Sequence, residues 1–356
     1  ILRFIGPGDG ADALVATIAT LTATDFTEDP VFARSSWQSV SDHLIAWDLP
    51  APEDHAARKA ALYTQIDDRW APLFADEAAT IDWRLVSWGG ALIDDRPLGD
   101  NRPCARGCIP ALDDPAVVAA GEDEWYPDDR IVFGVTINGE SRAYPKNIME
   151  VHEMVTDTLG DRRISIPYCT LCGSAQAYFI DNLPTDIEQP LLRTSGFLSR
   201  SNKVMFDLAS YSMFNTFTGE AVSGPLRERD VTLEQVSVVT STWADWKAAH
   251  PDTTIVARDG GIGRAYEFDP LGDRDADGPI FPIGAVDDRL EPQAKVLGVI
   301  TASGEAIAFD VEAARRALEA GQSVETGGIT VVADGGGVRA EVDGSPLAAH
   351  EAFWFA

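Results

Sequence analysis

"IVFGVTINGESRAY" (Ile131–Tyr144) and "KVLGVITASGEAIAF" (Lys295–Phe309) share one pattern: a Gly inside an apolar run, a Gly-Glu turn, then Ala and an aromatic residue. Each is predicted to be a β-hairpin, because apolar runs flanking a Gly-containing turn pair back on themselves. A helical segment follows both, and then an apolar strand, "RRISIPYC" from Arg162 and "GGITVVAD" from Gly327. The parallel extends to the Trp-rich stretches "STWADWKAAHPDT" and "HEAFWFA". The fold class is therefore α+β: a small helical N-terminal domain (1–100) followed by two related β-rich α+β units, at 104–255 and 290–356. An acidic, Asp-rich connector (256–289) joins them. Only the first unit carries Cys169 and Cys172, so those cysteines are additions to the scaffold.

The front of the chain is read as helical from "ADALVATIATL", "SWQSVSDHLIAWDL" and "EDHAARKAALYTQIDDRWAPLFA", which place apolar residues at helical spacing. Trp37, Trp47, Trp70, Trp83 and Trp88 fall there and are assigned mainly to core, with a protein or cell-surface partner as the other use of a tryptophan-rich domain. The natural boundary is the Pro/Gly/Asp-rich stretch Asp94 to Pro103.

A formal charge of -29, from 28 basic and 57 acidic residues, argues against nucleic acid as a partner, because phosphate contacts need concentrated Lys and Arg. The first residues lack the basic start and apolar core of a secretion signal, which leaves room for a leader removed upstream. The end in "FWFA" suggests further chain.

The chemistry gathers at "YPKNIMEVHEMVTDTLG" and "RRISIPYCTLCGSAQAYF". Pro145 opens and Gly160 closes the first stretch. The second reads as strand, two-residue knuckle and returning strand, with Gly173 turning backbone N–H groups toward the sulfurs. Three readings compete for Cys169 and Cys172. A metal site ranks first: zinc or copper held by both thiolates and His152, with Met149 or Glu153 as further ligand and Glu153 as orienter or general base. A four-cysteine zinc site with Cys104 and Cys108 is a variant of it. A local disulfide ranks second and redox exchange third, since no helix follows the first cysteine to activate it. Arg200, Asn202 and Asp207 are candidate pocket residues over the site. Asp273, Asp275 and Asp277, closed by Gly278, match the front of a calcium loop, although Gly284 stands where the closing Glu belongs.

These motifs, with "CIPALDDP", "SGFLSRSNKVMFD", "TGEAVSGPL" and "WADWKAAHPDT", resemble the domain of unknown function 3179 family over about residues 105–310, and the helical front resembles a HEAT-like segment. His152, Glu153, Cys169, Cys172 and Asp207 keep the family pattern, whereas Thr170, Val151, Leu208 and Phe214 depart from it. The resemblance implies no activity. It implies an exported protein, periplasmic or extracellular, and it leaves Cys104 and Cys108 outside the usual motif, as a local disulfide. The functional expectation is an exported metal-binding protein with redox or metal-handling chemistry. The alternative is a non-catalytic extracellular binding or assembly module stapled by disulfides.

Overall fold

A computed structural model describes residues 1–356 apart from 48, 123 and 302. Asp48, inside the second predicted helical run, and Ala302, inside the turn of the second hairpin, thus lie outside the described residues. The chain is mixed helix and sheet, and among the described residues the strands form five sheets.

The hairpin that opens the sequence analysis forms as Ile131–Ile137 against Glu140–Pro145, and the second as Lys295–Ile300 against Ala306–Asp310. Their registers correspond: Gly134 opposes Ala143 on one side and Val239 on the other, while Gly298 opposes Ala308 and His350. A helix follows each, Lys146–His152 and Val311–Glu319. The two glycines do different work. A Cβ on Gly134 would land inside the Trp246 ring, whereas one on Gly298 would meet nothing closer than 4.0 Å. Gly134→Ala is accordingly expected to lose about 1–3 kcal/mol in urea unfolding, as overpacked cores do, and Gly298→Ala well under that. Equal losses would contradict this packing.

Residues 290–356 are not set apart from the rest. The Val338 and Ala340 strand has its own core with Leu297 and Phe309. Yet Val238 N donates to Ala349 O at 3.1 Å, His250 Nε2 meets Asp334 Oδ1 at 2.9 Å, and Phe353 N donates to Cys172 O at 2.8 Å.

The front divides differently from the predicted helical domain. Leu2, Ala11, Phe26 and Val40 form a small helical cluster from the helices up to Ser36–Ile45. Tyr63, Trp70, Leu73, Val86 and Ile93 instead share one core with Phe197, Val204, Phe206 and Met213. Trp70 is fully buried and its Nε1 donates to Ser195 O at 2.8 Å. Val86–Trp88 is the edge strand of the sheet that continues through Leu192–Ser199, Asn202–Asp207 and Met213–Asn215. Asp94 to Pro103 is not a free linker either: Asp94 and Arg96 are buried and paired at 2.7 and 2.8 Å, and Arg193 Nε donates to Arg96 O. The polar residues that suggested a linker are buried ion-pair partners.

A second sheet, Gln235–Val236, Ala177–Phe179, Arg162–Cys169, Met154–Leu159 and Leu112–Asp113, lies between two cores. Ile164, Ile166 and Tyr168 point into the main core with Phe133, Tyr144, Trp243 and Trp246. Met154 and Tyr178 join Leu192, Met205 and Phe214 on the other side. This alternation, a consequence of the two-residue period of a strand, puts Cys169 at the layer between the second sheet and the front sheet.

Candidate functional site

The strand Arg162–Cys169 ends in the knuckle, and Ser174–Ala175 pairs back onto Tyr168 and Cys169. Gly173 has φ +56°, and a Cβ there would collide with Lys295 Nζ and press on the Phe353 ring, so both turn and close approach demand glycine. Cys169 and Cys172 are buried free thiols. Both sulfurs lie close to one carbonyl, Ser201 O, at 3.5 and 3.4 Å, and Cys172 Sγ also lies 3.7 Å from Asn202 Oδ1. Leu171, Phe217, Ile283, Val286, Phe353 and Phe355 cover them.

Two ammonium groups flank the pair. Lys203 is buried and donates to the Glu153 carbonyl oxygen, with its Nζ 3.4 Å from Glu153 Oε2. Lys295 Nζ donates to Gly173 O at 2.7 Å and lies 4.1 Å from the Phe353 ring centroid. Thr170 Oγ1 donates to Glu153 Oε1 at 3.0 Å, tying the knuckle to the same carboxylate. Burial lowers the Lys203 ammonium against the pull of Glu153 and Cys169, and brings Lys295 down to about 8.

The two thiols are not equivalent. Burial pushes Cys169 up, but hydrogen bonds from the Cys172 thiol and from the backbone N–H groups of Lys203 and Cys172 outweigh it, and Cys169 sits below the ordinary thiol value. Cys172 is driven well above it by burial and by donating its hydrogen to Cys169. The split makes Cys169 the more acidic of the two sulfurs.

His152 does not join them. Its Nδ1 donates to Pro110 O at 2.6 Å and its Nε2 accepts from the Tyr266 hydroxyl at 2.7 Å, while burial lowers the ring to about 4. Met149 is buried in the main core with Ile148, Val155 and Tyr168. The reason is local. The helix Lys146–His152 stops at Glu153, which is left-handed at φ 52°, and this reversal carries Glu153, one residue later, to the knuckle while the imidazole faces away. Among the described residues, metal-ligating side chains gather only as Asp94, Cys104 and Cys108. Cys104 and Cys108 form a disulfide there, and both Asp94 oxygens are held by Arg96, so the four-cysteine zinc arrangement is absent too.

Residues 106–352 match the family model described as "Protein of unknown function (DUF3179)". The chain belongs to the DUF3179 family. No curated protein and no solved structure matches it. The DUF3179 match runs past the expected 310 to residue 352, so the second hairpin and all but the last residue of the strand His350–Phe353 lie within the family domain.

Other expected residues of this DUF3179 chain fall apart or find structural work. The polar run after Ser199 does line a cavity of about 280 Å³ together with Phe217 and Phe355. Ser201 and Asn202 are its members beside the sulfurs, whereas Arg200 turns its Nη1 to Ile283 O at 2.5 Å. Asp207 accepts from Leu191 N and Ser210 N, both at 2.8 Å, and so secures a turn. Asp273, Asp275 and Asp277 do not converge. Successive tight turns, Ala276 N to Asp273 O and Gly278 N to Asp275 O, leave Asp273 and Asp277 exposed, and Asp277 reaches out to Arg34 at 3.7 Å.

Sequence reasoning missed Lys203, Lys295, Ser174 and Gln176. Ser174 opposes Cys169, and Gln176, two residues on, shares its sheet face. Both side chains are fully buried, and the Ser174 hydroxyl and both Gln176 amide atoms have no hydrogen-bond partner. The available signal was scarcity: the chain has five lysines, and two of them meet at the knuckle.

Proposed function

We propose that Cys169 and Cys172 form a thiol–disulfide exchange centre. The observation that carries this reading is the convergence of two free sulfurs on Ser201 O between two buried ammonium groups, with the imidazole turned away. Positive charge stabilises a thiolate and opposes a second cation, so Lys203 and Lys295 favour sulfur chemistry over zinc or copper on the same pair. The Cys169 thiolate attacks a substrate disulfide, forming a mixed disulfide and releasing one substrate thiolate. Cys172 then gives its proton to that thiolate, which departs as a thiol, and attacks the Cys169 sulfur, giving the Cys169–Cys172 disulfide and releasing the second substrate sulfur as a thiolate. Gln176 and Ser174 supply unused hydrogen-bonding groups on the same face, and Phe353 and Phe355 must swing aside to admit the substrate.

The Cys104–Cys108 disulfide supports an oxidising, exported location for this chemistry. The matched registers of the two hairpins support reading 290–356 as a second copy of the pattern, used here as a cover for the sulfurs.

The test is trapping. Cys172→Ser protein treated with an aromatic disulfide is expected to retain one adduct on Cys169, found by peptide mass, at a rate that rises several-fold in Phe355→Ala. Lys203→Met should slow the adduct roughly tenfold at pH 7. One tightly held metal per chain in protein purified without added metal, lost in Cys169→Ala, would establish the metal-centre reading instead. A folded Phe355→Ala protein whose thiols stay inert would leave the non-catalytic module.

A further inference from the structure

A cavity of about 580 Å³ opens in the helical front, far larger than the space beside the knuckle and within the range that holds small-molecule ligands. Its walls are mostly apolar and aromatic, with Phe4, Trp37, Trp47, Leu62 and Trp88 among them. Acidic residues outnumber basic ones by 57 to 28 in the chain, yet among the described residues no carboxylate lines this cavity, while Arg3, Arg58, Lys59 and Arg84 do.

Arg58 and Arg84 are held by Asp54 and Asp82. Among the described residues Arg3 and Lys59 make no ion pair, and the nearest carboxylate acting on Lys59, Asp82, is taken by Arg84. The Arg3 guanidinium stacks at 4.7 Å from the Trp37 ring and 5.6 Å from Trp88, and its buried Nε has no hydrogen-bond partner. Lys59 Nζ donates to the backbone oxygens of Trp83 and Val86 and lies 5.8 Å from the Tyr63 ring. His55 Nε2, on the same wall, is buried and also without a partner. Cations sheltered in an apolar setting without a counter-ion are unfavourable until an anion arrives, and an arginine laid on aromatic faces keeps its donors available for one.

We propose that this cavity binds a single-chain anionic amphiphile, its tail among the aromatic residues and its carboxylate or phosphate head on Arg3 and Lys59. The site is independent of the thiol centre. Tryptophans in its wall give the readout. Titration with dodecanoate, dodecyl phosphate and dodecanol, all below micelle formation, should show saturable quenching at one anion per chain, with the alcohol at least tenfold weaker. A tighter carboxylate identifies a fatty-acid-like ligand, a tighter phosphate a lipid-headgroup-like one. Arg3→Gln and Lys59→Met should weaken both anions roughly tenfold and leave the alcohol unchanged. The comparison of head groups on the unaltered protein needs no variant to fold. Alcohol bound as tightly as the anions, no saturable signal from any of the three, or folded variants indistinguishable from the parent would overturn the proposal.

Discussion

Acidification from pH 6.5 to 4 is expected to cost this protein on the order of 3 kcal/mol for each of two histidines, at 1.36 kcal/mol per pH unit. His152 and His350 are nearly sealed from solvent, and burial brings both from 6.5 down to about 4. His350 is held by Gln235 Nε2 at 2.8 Å and stacked on Phe217. Their folded values lie below the unfolded one. Between pH 4 and 6.5 the unfolded chain therefore binds protons that the native protein refuses, and stability falls as pH falls through that window. Asp42 and Glu351 run the other way, since burial raises both. Asp67, Asp76 and Asp82, held low chiefly by their arginine partners against the cost of burial, act only below the window. Urea unfolding at pH 7, 5.5 and 4 on the parent, His152→Gln and His350→Gln isolates the histidine part as a difference. Each variant should show a pH dependence shallower by about that 3 kcal/mol. Parallel curves would show that the imidazoles do not carry the acid sensitivity.

Arg193→Met is expected to destabilise by about 3–5 kcal/mol, the usual effect of leaving one charge of a buried pair alone. Arg193 has no solvent exposure, and it meets Asp113 bidentately at 3.0 and 2.7 Å. Asp113 also accepts from Gly99 N at 2.9 Å, and Arg193 reaches the Arg96 carbonyl, so the pair fastens the Asp94–Pro103 segment across the two sheets. Removing both charges in Arg193→Met with Asp113→Leu should recover much of the loss, because the penalty belongs to the orphaned carboxylate. A double variant as unstable as the sum of its single changes would mean that the two side chains carry no coupling energy, and would overturn this account.

Much of the local structure was legible in the chain. Both hairpins, the helix between Pro145 and Gly160 and the strand–knuckle–strand around Cys169 follow from period-two alternation and from turn residues, which act between near neighbours. His152 was misplaced because the apolar stripe of its helix says which face is buried, not which way the side chain beyond the last turn points. The left-handed Glu153 decided that. Lys203 and Lys295 were overlooked because a single lysine is ordinarily a surface residue, and nothing within ten positions of either one marks it as buried. The packing of the front was hidden for a similar reason: Trp70 and Val86 read as a helical domain's own core until Phe197 and Phe206 are seen against them.

The sequence by itself determined that this is a chain of mixed helix and sheet with two matching hairpins, and that Cys169 and Cys172 are the pair to study. Only the tertiary structure brought together the groups that surround them. A thiolate's stability depends on charges and donors within a few ångströms in a poorly screened interior. Those groups come from Glu153, Ser201, Lys203 and Lys295, which are scattered along the chain and meet only when two sheets and the strand ending at Phe353 close over the knuckle.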